Sequence, residues 1–147
     1  MSEAVLSNVE LTRRAFALWN AGGVEAWVEH VWAPDIVFHD LPEAADTGTF
    51  RGVEEVASRH RPIAEALGHI QVEIRSVDER RDFTLATLEL RMEGSSSGVP
   101  LTGPLLEVLR WADGRLHESR YYTDADHAQR EYERLSAYAG LSDAPTQ

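Results

Sequence analysis

A few polar side chains in this chain have the types and spacing that proton transfer uses. Asp124 stands immediately ahead of a helical pattern. Partly desolvated at a pocket wall, such a carboxyl has its pKa raised toward the working pH and serves as a general acid or base. Left in water, it is an ordinary N-cap that accepts backbone donors. Arg120 and Tyr122 share strand parity with Glu118 and Asp124, which puts a cation and a phenol beside that carboxylate. A guanidinium there holds a carboxylate ionised, which suits a base or the binding of a substrate carboxylate. The alternative is a ladder of ion pairs on an outer face. His39 and Asp40 are neighbours at the end of a short strand pattern, so they face opposite ways. An imidazole there can orient a substrate oxygen or relay a proton. An aspartate there can take a proton next to a carbonyl, or simply turn the chain before Leu41-Pro42. His60 falls on an apolar helical stripe four residues after Val56, a place for a core or pocket-rim histidine. Trp19, Trp27, Trp32, Phe38 and Trp111 offer aromatic area for pocket walls or for core.

Other chemistries lack their patterns. The six histidines are scattered, with no HxH or HExxH pair, so no metal site is expected. The chain has no cysteine, which removes disulfides, thiolate nucleophiles and thiolate metal sites. There is no phosphate loop and no dinucleotide fingerprint, so no cofactor is expected, and Ser95-Ser96-Ser97 lack a nucleophile-elbow context. Against 14 Lys and Arg stand 25 Asp and Glu, a net charge of -11 that repels polyanions, so nucleic acid is not an expected partner. The opening MSEAVLSNVELTRR is acidic and amphipathic, unlike a signal peptide. No apolar run approaches the roughly 20 residues that span a bilayer. The expectation is a soluble cytoplasmic protein that does not contact membranes.

The elements that must position these residues read as one domain over 1–147, since 43% hydrophobic residues suit a single core. The spacing of Val5, Val9, Phe16 and Trp19 predicts a helix over about residues 3–20, stopped by Gly22-Gly23. Val24, Trp27, Val28 and Val31 predict a second helix, ended by Pro34-Asp35. Residues 36–39 read as a short strand and 43–49 as a loop. A third helix starts near Val53 and carries Val56, Ala57, Ile63, Ala64 and Leu67 on one stripe, with Pro62 predicting a kink or a break. Ile70, Val72 and Ile74 alternate with polar residues, as do Ala86, Leu88, Leu90 and Met92. Two further strands, 105–111 and 116–123, flank Asp113-Gly114, a type I′ hairpin signal. A last helix turns Ala128, Tyr132, Leu135 and Ala139 inward. Residues 94–98 and 141–147 are expected to be flexible. The order predicts an α+β fold: a curved antiparallel sheet, helices on its concave side, and an apolar pocket open at the mouth.

Several local patterns resemble one family. Pro34-Asp35-Ile36-Val37-Phe38-His39 is similar to the Asp-x-Val-x-His strand of SnoaL-like polyketide cyclases. Gly52-Val53-Glu54-Glu55-Val56 resembles their glycine-led helix start, and Gly98-Val99-Pro100-Leu101-Thr102-Gly103 their Gly-[Ile/Val]-Pro-Pro-Thr-Gly turn. Arg110, Asp113-Gly114-Arg115-Leu116, Glu118 and Asp124 resemble their closing run. Four such pieces in order, over about residues 5–140, resemble the SnoaL-like branch of the NTF2-like, ketosteroid isomerase-like superfamily. The sequence departs from the pattern at Arg120, where the family has Trp, and at Arg91-Met92-Glu93-Gly94, where it has Gly-Thr-His. The first helix offers Phe16 and Trp19 where ketosteroid isomerase has a tyrosine.

The resemblance implies a cone-shaped fold, a deep pocket, a homodimer and proton chemistry without a cofactor. It implies Asp124 as the acid/base. For the strand end, the SnoaL-like pattern favours His39 in the pocket and the isomerase pattern favours Asp40; His39 is the expectation. Phe16, Trp19, Trp32, Phe38, His60, Arg120 and Tyr122 are then the substrate-binding candidates. The implied function is an isomerase or cyclase acting next to a carbonyl on an apolar, polyketide- or steroid-like molecule. The rivals are a non-catalytic binding or scaffold domain of the same fold, and an epoxide hydrolase, for which Asp124 and Arg120 supply only part of the required set. The dimer is expected to pair through the outward sheet face, with Leu109 and Trp111 left over for it.

Overall fold

The computed structural model describes residues 5–41, 48–68, 70–92 and 104–142. Helix α1, Asn8–His30, starts at a capping box: Ser7 Oγ accepts from the Glu10 N–H at 3.1 Å, and Glu10 Oε1 accepts from the Ser7 N–H at 2.8 Å. The cap overrides the apolar stripe, so the helix begins later than the spacing predicts and leaves Val5 94% exposed. The predicted break at Gly22-Gly23 is present as a bend inside α1. Gly23 takes φ 65°, a conformation that side-chain-bearing residues avoid. The bend folds Trp27 back on the first arm, where its indole N–H donates to the Ala15 carbonyl at 2.7 Å.

Strand β1, Trp32–His39, is longer than predicted. Pro34 does not serve as a helix stop; it lies in β1 where the pairing with its neighbour shifts register, a position that needs no amide donor. Strand β2, Thr49–Arg51, pairs with β1 at the end of the stretch predicted to be loop. Helix α2, Val53–Leu67, runs through Pro62 unbroken. Pro62 and Ser58, whose carbonyl the proline ring displaces, are both exposed, so water can take that acceptor. Strands β3 (Ile70–Arg80), β4 (Phe83–Met92), β5 (Leu105–Ala112) and β6 (Arg115–Tyr122) form the predicted meander, and helix α3, Ala125–Ser142, closes the chain. Asp113 and Gly114 both have positive φ, 54° and 76°, as a type I′ turn requires. The segment 94–98 and most of the tail, 143–147, lie outside the described residues.

The six strands are ordered β2-β1-β6-β5-β4-β3. The predicted meander is antiparallel, as is the β1–β2 pair, and β1 runs parallel to β6, which makes the sheet mixed. Helices α1 and α2 cover one face, around Phe16, Trp27, Trp32, Ile36, Val56 and Leu88. Helix α3 covers the other, around Phe83, Leu85, Leu106, Val108 and Tyr132. Strand β5 is therefore covered on both sides. This corrects the interface expectation: Leu109 and Trp111 are core, and the Trp111 indole donates to Thr12 Oγ1 at 3.1 Å and Thr84 Oγ1 at 3.2 Å. Among the described residues no helix is long and apolar enough to cross a membrane.

Candidate active site

Between α1, α2 and the inner face of the sheet lies a cavity of about 130 Å³. Helix α1 contributes Phe16, Trp19 and Trp27, and α2 contributes His60, Ile63 and Ala64. The sheet contributes aliphatic side chains, together with Glu107 from β5 and Tyr121 from β6. The strand register pairs Glu107 with Tyr121, so both polar groups sit on one wall.

Glu107 is only 2% exposed. Ser119 Oγ donates to its Oε2 at 2.5 Å. Burial pushes the carboxyl from 4.5 up to about 8, with the Ser119 hydrogen bond pulling against it. At neutral pH most molecules therefore hold it protonated. Burial, then the nearby carboxyls of Glu107 and Asp40, push the Tyr121 phenol well above its usual range. His60 Nδ1–H donates to the Val56 carbonyl at 2.8 Å, which fixes the tautomer and leaves Nε2 to accept from the Tyr121 hydroxyl at 3.0 Å. Burial lowers the His60 pKa and keeps the ring neutral. Trp32 and Phe38 brace that ring from behind, at centroid distances of 5.6 and 4.8 Å. A hydrocarbon-walled cavity thus holds one carboxyl poised near neutrality, beside a phenol that stays protonated. That is the equipment of general acid–base catalysis.

The sequence candidates divide among four places. Phe16, Trp19 and His60 line the apolar cavity. Trp32 and Phe38, expected as pocket walls, are core residues behind it, 3% and 2% exposed. His39, Asp40, Arg120 and Tyr122 line a second, polar hollow of about 270 Å³ at the ends of β1 and β6, with His127 and Glu131 of α3. There His39 Nε2 and Glu118 Oε2 are 2.7 Å apart, and Arg120 Nη2 donates to the same oxygen at 2.9 Å. The His39 hydrogen bond first, then the charges of Arg120, His39 and Arg110, hold Glu118 down to about 2. This is the outer-face ion-pair ladder. Asp40, one residue beyond β1, lies outside that ladder: it accepts from Arg59 Nε at 2.6 Å and from the Leu41 N–H at 2.7 Å. Asp124 lines neither cavity. It is exposed, and its Oδ1 accepts from the His127 N–H at 2.9 Å, which lowers its pKa instead of raising it. The N-cap geometry is the one the structure contains.

Glu107 was not among the sequence candidates. Its signal is a lone carboxylate inside the apolar run Leu105-Leu106-Glu107-Val108-Leu109. A buried acid in a strand is costly and rarely accidental. On β6 it is Tyr121 that lines the apolar cavity, and Glu118, Arg120 and Tyr122 do not. Among the described residues no group of three His, Asp or Glu side chains is placed to hold a metal ion.

A profile of the SnoaL-like domain matches residues 12–119, and the chain belongs to that family. Its fold is NTF2-like. A SnoaL-like polyketide cyclase candidate of Jannaschia sp. CCS1 superposes with a TM-score of 0.62 at 23% identity, over 88% of this chain and 94% of that one. A Catenulispora acidiphila protein with a ketosteroid isomerase-like fold, in complex with trimethylamine, gives 0.60 at 16% identity, over 84% and 92%. An NTF2-like protein of unknown function from Cytophaga hutchinsonii gives 0.60 at 12% identity, over 86% and 97%. No curated protein matches the chain.

Proposed function

We propose that the protein is a cofactor-free isomerase or cyclase that moves a proton next to a carbonyl on a small apolar molecule, with Glu107 as the proton carrier. The observation that carries this is the buried Glu107 carboxyl, at about 8, on the wall of an apolar cavity. In its ionised form Glu107 takes the proton from the carbon beside the carbonyl, and the electron pair moves onto the carbonyl oxygen. The Tyr121 hydroxyl turns from His60 to donate to that enolate oxygen. Glu107 then returns the proton to carbon, which restores its ionised form. His39, Asp40 and Asp124 take no step in this scheme, since none lines the apolar cavity.

The test needs no natural substrate. In D₂O, wild-type protein should catalyse exchange of the α-hydrogens of cyclohexanone, followed by NMR. The rate should rise with pH as Glu107 ionises and level off above about 8. Glu107→Gln should lose about 10²-fold or more while still folding. Unchanged exchange in that variant overturns the reading.

A second reading is a binding pocket without catalysis, for a small amine. Phe16, Trp19, Trp27 and Tyr121 surround the cavity beside one carboxyl, the equipment of a cation–π cage. The Catenulispora acidiphila neighbour is in complex with trimethylamine. Saturable binding of trimethylamine with no ketone exchange would favour it. The homodimer implied by the family stays a proposal. With α3 on the outer face, a pair would form on what α3 leaves open, beside β1 or β3, and sedimentation at high micromolar concentration tests it.

A further inference from the structure

We infer that the cavity takes a single six-membered ring bearing one oxygen at one end, a cyclic ketone, enone or phenol, and excludes fused polycyclic molecules. The identity of the oxygen rests on the reading of Glu107 above; the ring size rests on the walls alone. An apolar cavity of about 150 Å³ holds a benzene molecule. The space here is about 130 Å³, enough for one ring and too little for two fused ones.

The walls that set this limit are pinned. The Trp27 indole forms part of the wall. Its N–H is tied to the Ala15 carbonyl at 2.7 Å, and its ring packs edge-on against Trp32 at 5.8 Å. Trp19 is tied to the Ile70 carbonyl at 2.9 Å and meets Trp27 edge-on at 5.5 Å. Neither indole can swing aside without breaking a hydrogen bond, buried for Trp27 and part-buried for Trp19. The same two bonds spend both indole donors, so those walls present only ring carbons to a ligand. Glu107 and Tyr121, paired across β5 and β6, gather the polar contact at one point. One oxygen finds a partner there. A second oxygen across the ring would lose water and meet hydrocarbon.

Calorimetry and thermal melting with phenol, hydroquinone, 2-naphthol and a four-ring phenolic steroid test this. Phenol should bind one to one and raise the melting temperature. Hydroquinone and 2-naphthol should each bind roughly ten-fold or more weakly, and the steroid should not bind. Ala64→Phe, which fills the cavity from the half-exposed side of α2, should abolish phenol binding without unfolding the protein. Phenol that fails to bind, phenol binding that survives Ala64→Phe, or naphthol or steroid binding as tight as phenol overturns the inference. The two readings fail separately. Ring selectivity without ketone exchange upholds the size limit and removes the proton transfer. Exchange on a fused-ring ketone but not on cyclohexanone does the reverse.

Discussion

Glu107 costs stability where it is useful for chemistry, and the sign of that cost can be measured. Its carboxyl sits at about 8 in the folded protein against 4.5 for an ordinary glutamate. Between those values the folded state holds a proton that the unfolded chain has released, so stability falls as pH rises from 4.5 through 8. Across that window the loss is on the order of several kcal/mol. His60, buried and neutral, works the opposite way: protonation of the unfolded chain lowers stability below about 6.5, so stability rises toward that pH. The difference between wild type and Glu107→Gln isolates the carboxyl. Melting temperature against pH should fall more steeply for wild type than for the variant between pH 5 and 8, and parallel curves would remove the perturbed carboxyl. Glu118 has the reverse sign. Held at about 2, it stabilises the fold above pH 4.5, and that contribution is lost as pH falls through 2. Glu118→Gln should cost about 1–3 kcal/mol in urea unfolding at pH 7, and much less at pH 2.

At the scale of elements, the start of α3 separates capping from catalysis. Asp124 accepts the His127 N–H, and its own carbonyl accepts the Ala128 N–H at 3.0 Å, opening the helix. Asn keeps the side-chain acceptor and Ala removes it. Asp124→Asn should therefore match wild type in melting and in ketone exchange, while Asp124→Ala melts lower with exchange intact below the melt. Loss of exchange in the Asn variant would return the acid–base role to Asp124. The β5–β6 hairpin divides into a local feature and a long-range one. Its turn was legible, because Asp113-Gly114 supplies the two positive φ values a type I′ turn needs. Its facing was not, because Leu106 and Val108 on one face are buried like Leu109 on the other. When both faces of a strand are covered, alternation no longer marks the inside, and a parity error moves every side chain to the wrong face.

For the whole molecule, α3 gives the outer face of the sheet its own small core, in which Phe83, Leu85, Leu106, Val108 and Tyr122 pack with Ala128 and Tyr132. Ending the chain at residue 124 would expose that patch to water. The shortened protein should melt lower and sediment as larger species than the intact chain at equal concentration, since contiguous apolar surface of this kind drives association. An unchanged sedimentation profile would mean that α3 is dispensable as a cover. The two hollows share Tyr121 but differ in character: one faces α1 and α2 and is largely hydrocarbon, the other lies beside α3 and is ionic.

Strand β2 and the unbroken run of α2 through Pro62 are not legible in the sequence, but most element types, the glycine interruption of the first helical region, the tight hairpin turn, the α+β class and the family are. These are local: a helical stripe, a left-handed glycine and an ordered set of short motifs are written within a few residues of one another. The sequence also marked Phe16, Trp19 and His60, because large apolar residues and a stripe histidine at helical spacing face inward on almost any packing. Long-range packing sets the parallel return of β1 beside β6, the cover of α3 over the outer face, and the cavity wall that Glu107 and Tyr121 share while Asp124 caps a helix in water. A carboxyl's pKa depends on what excludes water from it, and the groups that exclude water from Glu107 come from helices and strands far away in the chain.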